Sequence, residues 1–263
     1  MAAPGTLPEA LADLVGDAEV VPITGGRSPA ITAWVRRPDA TWVLKVQVAD
    51  DLETSLVGEA ERARWLARHL PVPEVVASGS DGEHEWLLTT ALVGSDATRP
   101  EHQMEVERLV HVLGEGLRTF HDRAPVDDCP FDATTPIALE RARARMEAGR
   151  VDETDFEPLH AGLSSHELFQ LMIDSVPGGD DDTVVLHGDY CVPNVILEDG
   201  AISGYVDLGR VGVGDRHRDL GIAARSIANN FGGHAVGPFL DAYGIDQPDL
   251  ARLDFFVMLD EFF

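Results

Sequence analysis

The sequence predicts an α+β protein with two lobes: a small N-terminal lobe built on an antiparallel sheet with one helix, and a larger, mainly helical C-terminal lobe. Residues 1–92 contain short β-branched and aromatic runs separated by Gly- and Pro-rich turns, the pattern of a small sheet. Residues 93–263 contain longer segments with the apolar periodicity of amphipathic helices. The chain has no internal repeat and no low-complexity linker, so the division near residue 92 rests on this change of pattern.

The small lobe is predicted to contain, in order, a short helix, three strands, a longer helix and a strand pair: residues 7–15, 21–26, 30–37, 41–48, 52–70 and 83–92. The first two strands are separated by "GGRSP", since Gly, Ser and Pro favour tight turns. The longer helix is predicted to end before the Pro-x-Pro of "PVPEVV", because proline cannot continue a helix.

The large lobe is predicted to be helical in four segments: residues 102–121, 137–149, 217–230 and 235–263. An acidic loop, "VDETDFEP", follows the second of these segments. Residues 183–207 return to short apolar runs, which predict strands within the otherwise helical lobe.

The charge of the chain is strongly negative. The chain has 46 Asp and Glu against 20 Lys and Arg, a formal net charge of −26. Such a surface repels nucleic acid and anionic membranes, and it attracts cations. An acidic surface also favours solubility, so the charge alone does not decide between a cationic partner and solubility.

Other features place the chain among cytoplasmic proteins with no membrane partner. Cys129 and Cys191 are isolated, which indicates neither a disulfide framework nor a zinc site. The first 21 residues carry acids and no basic region, unlike a secretory signal. No apolar run approaches the roughly 18 residues that a membrane span needs.

Residues 187–207 carry the most informative chemistry. The runs "NVIL" and "ISGYV" are joined at Asp-Gly, a dipeptide typical of a two-residue hairpin turn. Asp207 is expected just beyond the open end of this hairpin, and the preceding loop brings Asp189 to the same end. Pairing outward from the turn predicts Glu198 opposite Ala201, Val195 opposite Gly204 and Asn194 opposite Tyr205.

The spacing H-G-D-x4-N-x12-D therefore gathers two carboxylates and an amide. Oxygen donors of this kind suit Mg²⁺, which usually retains water and phosphate ligands. In phosphoryl transfer one carboxylate orients the attacking hydroxyl and accepts its proton, here Asp189, while Asn194 and Asp207 hold the metal. The alternative is that Asp189 caps a turn and Asp207 ends a strand, which the combined pattern disfavours. His187 is expected to brace the loop.

Several segments resemble the aminoglycoside phosphotransferases, relatives of protein kinases. "HGDYCVPN" and "VDLGR" resemble their catalytic loop and metal-binding segment, and "GGRSPA", "DDCPFD" and "DRHRDL" are similar to other landmarks. The ending "MLDEFF" is similar to that of the 3′-phosphotransferases that act on kanamycin and neomycin. The resemblance covers essentially the whole chain, and is looser between residues 95 and 180. It implies a protein-kinase-like fold, ATP and Mg²⁺ as cofactors, and an aminoglycoside as the accepting partner.

The only lysine of the chain, Lys45, lies within the apolar strand "TWVLKV". A nucleotide kinase needs such a cation on the α- and β-phosphates, held by an acid from a helix. At 100° per residue Glu59 falls in the middle of the apolar stripe of the predicted helix, where an acid is costly unless it is paired. Lys45 is the expected partner of Glu59; the alternative is a lysine that snorkels from an edge strand.

The resemblance implies the remaining contacts. Ser28 and nearby backbone amides would bind the β- and γ-phosphates, and backbone groups of Thr90 and Leu92 would bind adenine. Arg210 would pair with acids or contact phosphate, and Asp219 would brace the catalytic loop. The amines of the drug would be bound by acids of the helical lobe and by the terminal carboxylate: Asp155, Glu157, Asp260, Glu261 and Phe263.

The chain also departs from the family, because Asn229, Asn230 and Thr154 stand where some members have acids. The main hypothesis is ATP-dependent phosphorylation of an aminoglycoside, expected at the 3′-hydroxyl. The enzyme is expected to be a monomer, with a weak dimer as the alternative. A second reading keeps the fold but changes the acceptor to streptomycin, a peptide antibiotic or a small metabolic alcohol. A third is a nucleotide-binding pseudokinase, which the intact set of Lys45, Asp189, Asn194 and Asp207 argues against.

Overall fold

The computed structural model describes residues 11, 14–23, 30–50, 52, 54–100, 105–179 and 182–263. The chain folds as two compact units, Met1–Val93 and Gly94–Phe263. The mixture of an antiparallel sheet in the first unit and mainly helices in the second confirms the predicted α+β class. Among the residues described, no helix is long and apolar enough to cross a membrane.

The first unit is a five-stranded antiparallel sheet with one long helix. Its strands follow the order β1-β2-β3-β5-β4 in the sheet. The elements are β1 (Glu19–Pro22), β2 (Ile31–Arg36), β3 (Thr41–Val48), α1 (Leu56–Leu66), β4 (Val75–Ser80) and β5 (His84–Thr90).

Alternation along β3 and β5 decides which side chains meet α1. Leu44 pairs with Leu88, and both pack in one core cluster with Val35 and Trp86. The next pair, Lys45 with Leu87, points to the other face because successive strand residues alternate. Leu87 packs there against α1, so Lys45 shares the face that α1 covers.

Two predictions for this unit need correction. The predicted helix 52–70 is shorter, because Ser55 caps α1 by accepting a hydrogen bond from the Gly58 N–H at 3.1 Å. The predicted strand pair within residues 83–92 is wrong. That segment is the single strand β5, which pairs with β4 across a turn where the Asp81 carboxylate accepts two backbone N–H groups. Most of the predicted helix 7–15 and residues 24–29 lie outside the described residues.

Over its described residues, the second unit is mainly helical and carries two small sheets. Its helices are α2 (Val106–Arg123), α3 (Thr135–Glu147), α4 (Ser165–Asp174), α5 (His217–Phe231), α6 (Val236–Tyr243) and α7 (Leu250–Asp260). Its strands are β6 (Ser95–Asp96), β7 (Thr183–Leu186), β8 (Val195–Glu198), β9 (Ala201–Tyr205) and β10 (Gly212–Asp215).

Helix α4 was not predicted, although the sequence carries a signal for it. Ser164 and Glu167 form a capping box, in which each side chain bonds the other residue's backbone N–H. The predicted helical segment 235–263 is two helices, α6 and α7, because Gly244 ends α6 in the left-handed region, at φ 87°. One apolar cluster of the unit joins α3, α4 and α7 around Phe255, Phe256 and Phe262.

Candidate active site

In the first unit, Lys45 and Glu59 form the ion pair that the sequence predicts. Lys45 Nζ lies 2.7 Å from Glu59 Oε1. Glu59 is buried on α1, where an unpaired carboxylate would be strongly destabilising. The acid therefore fixes the position of the ammonium group on this face of the sheet.

A cavity of about 430 Å³ lies in the same unit. Leu92, a predicted adenine-binding residue, is part of its wall. Trp34 is a second wall residue that the sequence analysis missed. It pairs with Val43, two residues before Lys45, so it lies on the same face of the sheet as the ammonium group. The cavity is lined by Trp34, Arg36, Thr41, Ala91, Leu92 and Val93.

Two backbone N–H groups at the end of β5 already donate hydrogen bonds within the first unit. The Thr90 N–H donates to the Glu74 carbonyl at 2.9 Å, and the Ala91 N–H donates to the Thr41 carbonyl at 3.0 Å. These two N–H groups are therefore already paired, and of the two residues predicted to bind adenine only Leu92 is among the residues that line the cavity. Ser28, the predicted phosphate-binding serine, lies outside the described residues.

In the second unit, the loop after β7 is held from two sides. Asp219 accepts the His187 N–H at 2.7 Å and the Gly188 N–H at 2.8 Å. The His187 ring is fully buried, donates from Nε2 to the Val206 carbonyl at 3.0 Å, and accepts the Asp189 N–H at Nδ1. The bracing roles predicted for His187 and Asp219 are confirmed.

Gly188 is required by this geometry. Its φ is 81°, which side-chain-bearing residues rarely adopt, and a Cβ there would lie 2.3 Å from the Arg210 carbonyl oxygen. The loop and the Arg210 backbone therefore approach each other as closely as only glycine permits.

Asn194 holds Asp189 at the end of this loop. Its Nδ2 group donates to the Asp189 backbone carbonyl and to Asp189 Oδ2, both at 3.0 Å. With both amide protons directed at Asp189, the other polar atom of the Asn194 side chain is an oxygen, which is a ligand for a hard cation. Asp189 itself is half-buried.

The hairpin forms at the predicted turn but with a different register. Asp199 and Gly200 have φ values of 51° and 76°, and Glu198 pairs with Ala201. Val195 pairs with Tyr205, whereas the sequence analysis placed it opposite Gly204. A β-bulge between the Ile196 and Leu197 steps adds one residue to β9 and shifts all later pairs.

The shift also changes the place of Asn194. It lies in the 3-10 turn Val192–Asn194 rather than opposite Tyr205, and its carbonyl accepts the Val206 N–H at 3.0 Å. Asp207 follows in the left-handed region, at φ 60° and ψ 56°, and is exposed. Such a backbone is strained for a non-glycine residue and is often found at functional sites.

The donor set fits Mg²⁺ better than a softer metal. Within the described residues, no group of three or more His, Cys, Asp or Glu side chains could hold a metal. The oxygens of Asn194 and Asp207 would leave most coordination positions to water and phosphate, as Mg²⁺ prefers.

The predicted substrate acids fall into two groups. Asp260 is buried and is paired with Arg210 Nη1 at 2.9 Å and with Arg225. Burial raises the pKa of Asp260, but Arg210 and Arg225 lower it more, so the carboxylate stays ionised. Arg210 thus takes the acid-pairing role, and its guanidinium also lies 5.1 Å from the Phe263 ring centroid.

Glu261 is likewise occupied within the protein. Its carboxylate accepts the Glu157 N–H at 3.0 Å and contacts His160 Nδ1. Glu157 and Asp155 reach solvent: Glu157 is half-buried, and Asp155 is exposed. The Glu157 carboxylate lies 3.4 Å from Asn229 Nδ2 and 3.6 Å from Arg225 Nε. Arg225 and His160 were missed, because their pairing depends on contacts between distant segments.

The family model described as "Phosphotransferase enzyme family" matches residues 19–256. An aminoglycoside 3′-phosphotransferase from Streptomyces fradiae is 36% identical over 253 residues, covering 93% of this chain and 90% of that protein. A streptomycin 3″-kinase from Streptomyces griseus is 31% identical over 270 residues, covering 98% and 96%.

Among solved structures, an aminoglycoside 3′-phosphotransferase of type VIII has a TM-score of 0.86 and 32% identity, and the match covers 97% of both chains. This agreement extends over both units, and it includes the protein-kinase-like fold that the catalytic segment predicts. The chain therefore belongs to the phosphotransferase enzyme family, among its aminoglycoside 3′-phosphotransferases.

Proposed function

We propose that this enzyme transfers the γ-phosphate of ATP to an aminoglycoside, at the 3′-hydroxyl of kanamycin- and neomycin-type drugs, and thereby confers resistance. The observation that carries the proposal is the contact between Asn194 and Asp189 on a loop braced by Asp219. It gives a fixed carboxylate beside an amide oxygen, the pair of groups that phosphoryl transfer uses.

Asp189 is the proposed base. Its Oδ2 accepts a neutral amide N–H from Asn194, which orients the carboxylate without a direct cationic partner at that atom. The carboxylate orients the attacking hydroxyl and takes its proton as the bond to phosphorus forms.

Lys45, held by Glu59, binds the α- and β-phosphates of the nucleotide. A lysine offers a compact charge that suits phosphate oxygens. Asn194 and Asp207 would hold Mg²⁺, which when bound would neutralise phosphate charge. Ser28 and its neighbouring amides are assigned to the same phosphates by resemblance.

The adenine ring is proposed to lie in the cavity beside Trp34. The Thr90 carbonyl and the Leu92 N–H would bind its edge, because the neighbouring amides are already donated within the sheet. A backbone site of this kind does not depend on the side chains at residues 90 and 92.

The drug's ammonium groups are proposed to bind Glu157 and Asp155, the candidate acids that reach solvent. Asp260 and Glu261 act indirectly, since they hold Arg210, Arg225 and the Glu157 backbone in place. Phe263 is a further residue proposed to contact the drug. The net charge of −26 raises the local concentration of a polycation.

The test is ADP release measured with kanamycin, neomycin, streptomycin and a non-aminoglycoside alcohol. We expect turnover with kanamycin and neomycin, with the product phosphorylated at the 3′-oxygen by NMR. Streptomycin belongs in the panel because a streptomycin 3″-kinase is 31% identical to this chain. Turnover of streptomycin with kanamycin and neomycin inert would refute the 3′ assignment and favour that second acceptor.

A further inference from the structure

A chain of buried hydrogen bonds runs from the end of α6 to the catalytic loop. Tyr243 Oη lies 2.8 Å from His121 Nδ1, and His121 Nε2 lies 3.0 Å from Asp219 Oδ2. The side chains of His121 and Asp219 are 1% and 0% exposed, and Tyr243 is buried as well. Neither Tyr243 nor His121 has a place in the proposed chemistry.

Which group donates in each of these hydrogen bonds follows from the contact between Arg216 and Tyr243. Arg216 Nη1 lies 3.3 Å from Tyr243 Oη, and a guanidinium can only donate. Burial raises the pKa of Tyr243 to about 12, so the phenol keeps its single proton near neutral pH. Donation of that proton to His121 Nδ1 makes Nδ1 the acceptor nitrogen of the ring. The ring is then neutral and carries its proton on Nε2, where it is donated to Asp219.

Asp219 gathers this donor together with two backbone amides. Its carboxylate accepts the His121 Nε2–H, the His187 N–H and the Gly188 N–H. Burial raises the pKa of Asp219, but the hydrogen bonds from His121 and from the His187 N–H lower it. The ionised carboxylate thus fixes two successive peptide groups, and Asp189 is the next residue.

We infer that Tyr243 and His121 are positioning residues for phosphoryl transfer, which act through Asp219 on the backbone that carries Asp189. Neither contacts the reacting atoms. Tyr243 fixes the tautomer and orientation of His121, and His121 fixes the Asp219 carboxylate that holds the loop. The inference rests on the proposed role of Asp189. Loss of either positioning residue should lower the rate, because a small displacement of a reacting group is costly in catalysis.

The first test compares Tyr243→Phe with Tyr205→Phe. Tyr205 is a matched control because it is also buried and donates to the Gly116 carbonyl of α2 at 3.0 Å. Tyr205→Phe loses one buried hydrogen bond and Tyr243→Phe loses two, so both variants should lower Tm, and Tyr243→Phe should lower it more. Only Tyr243→Phe should lower kcat, by about fivefold with KM for ATP and drug unchanged, as expected for one neutral hydrogen bond. Equal kcat in the two variants would overturn the inference.

The second test uses conservative rescue at His121. The amide of His121→Gln keeps an N–H donor for Asp219, whereas His121→Leu leaves the buried carboxylate short of one donor. We expect the glutamine variant to retain several times the kcat of the leucine variant. If the two variants had the same kcat, the donor to Asp219 would have no role in catalysis.

The third test does not depend on turnover. The ¹⁵N chemical shifts of the His121 ring in the intact protein should show a neutral imidazole protonated at Nε2. A doubly protonated ring, or one protonated at Nδ1, would contradict the inferred direction. Failure of the proposed function would instead appear as wild-type protein without kinase activity, whatever the NMR result, so the two failures are distinguishable.

Discussion

At the scale of single residues, the position of Lys45 was predictable because two periodicities meet there. Strand alternation gives Lys45 the face opposite Leu44, and helical periodicity gives Glu59 the inner face of α1. These two patterns place both side chains on the face of the sheet that α1 covers, where they are in contact at 2.7 Å. The partners of Asp260 were not predictable in this way, because Arg210 and Arg225 come from other segments and follow no local period.

Lys45→Arg should keep the fold and impair nucleotide handling. The charge and the pairing with Glu59 are retained, but the wide guanidinium fork cannot take the place of a compact ammonium beside phosphates. We expect kcat/KM for ATP to fall roughly 10- to 100-fold, the equivalent of one charge-assisted hydrogen bond. The measurements are steady-state kinetics and Tm; an unchanged kcat/KM would show that Lys45 does not bind phosphate.

At the scale of elements, the turn of the β8–β9 hairpin was predictable from the sequence and its register was not. The Asp199–Gly200 turn was predicted because the dipeptide tolerates positive φ at both positions. The bulge was not, because the apolar pattern of β8 and β9 carries no signal for the extra residue in β9. Strand β4 was missed because its interior residues, "ASG", are poor strand formers, and its pairing with β5 outweighs that local preference.

Gly188→Ala tests how closely the catalytic loop approaches its neighbour. The change should cost more than about 3 kcal/mol, because it adds a collision with the Arg210 carbonyl to the strain of a positive φ. Gly149→Ala is the matched control: its φ is 64°, but a Cβ there would meet no atom within 4 Å. The control should lose only about 1 kcal/mol and keep its kcat. The free energy of unfolding, from denaturant titration, and kcat are measured for both variants. Equal losses of unfolding free energy in the two variants would mean that the close approach does not constrain the loop.

At the scale of the whole molecule, the two compact units carry different parts of the proposed reaction. The first unit holds the Lys45–Glu59 pair and the cavity beside Trp34. The second holds Asp189, Asn194 and the acids assigned to the drug. Nucleotide binding and chemistry should therefore be separable by a substitution that touches only the second unit.

Asp189→Ala makes that separation and tests the central claim most directly. The measurement is ADP release with kanamycin beside the Kd for ATP, determined by calorimetry on the same preparation. We predict that turnover falls by about 10²- to 10⁴-fold, the usual contribution of a positioned general base, while the Kd for ATP changes little. Turnover equal to that of the unaltered enzyme would contradict the assignment of Asp189 as the catalytic base.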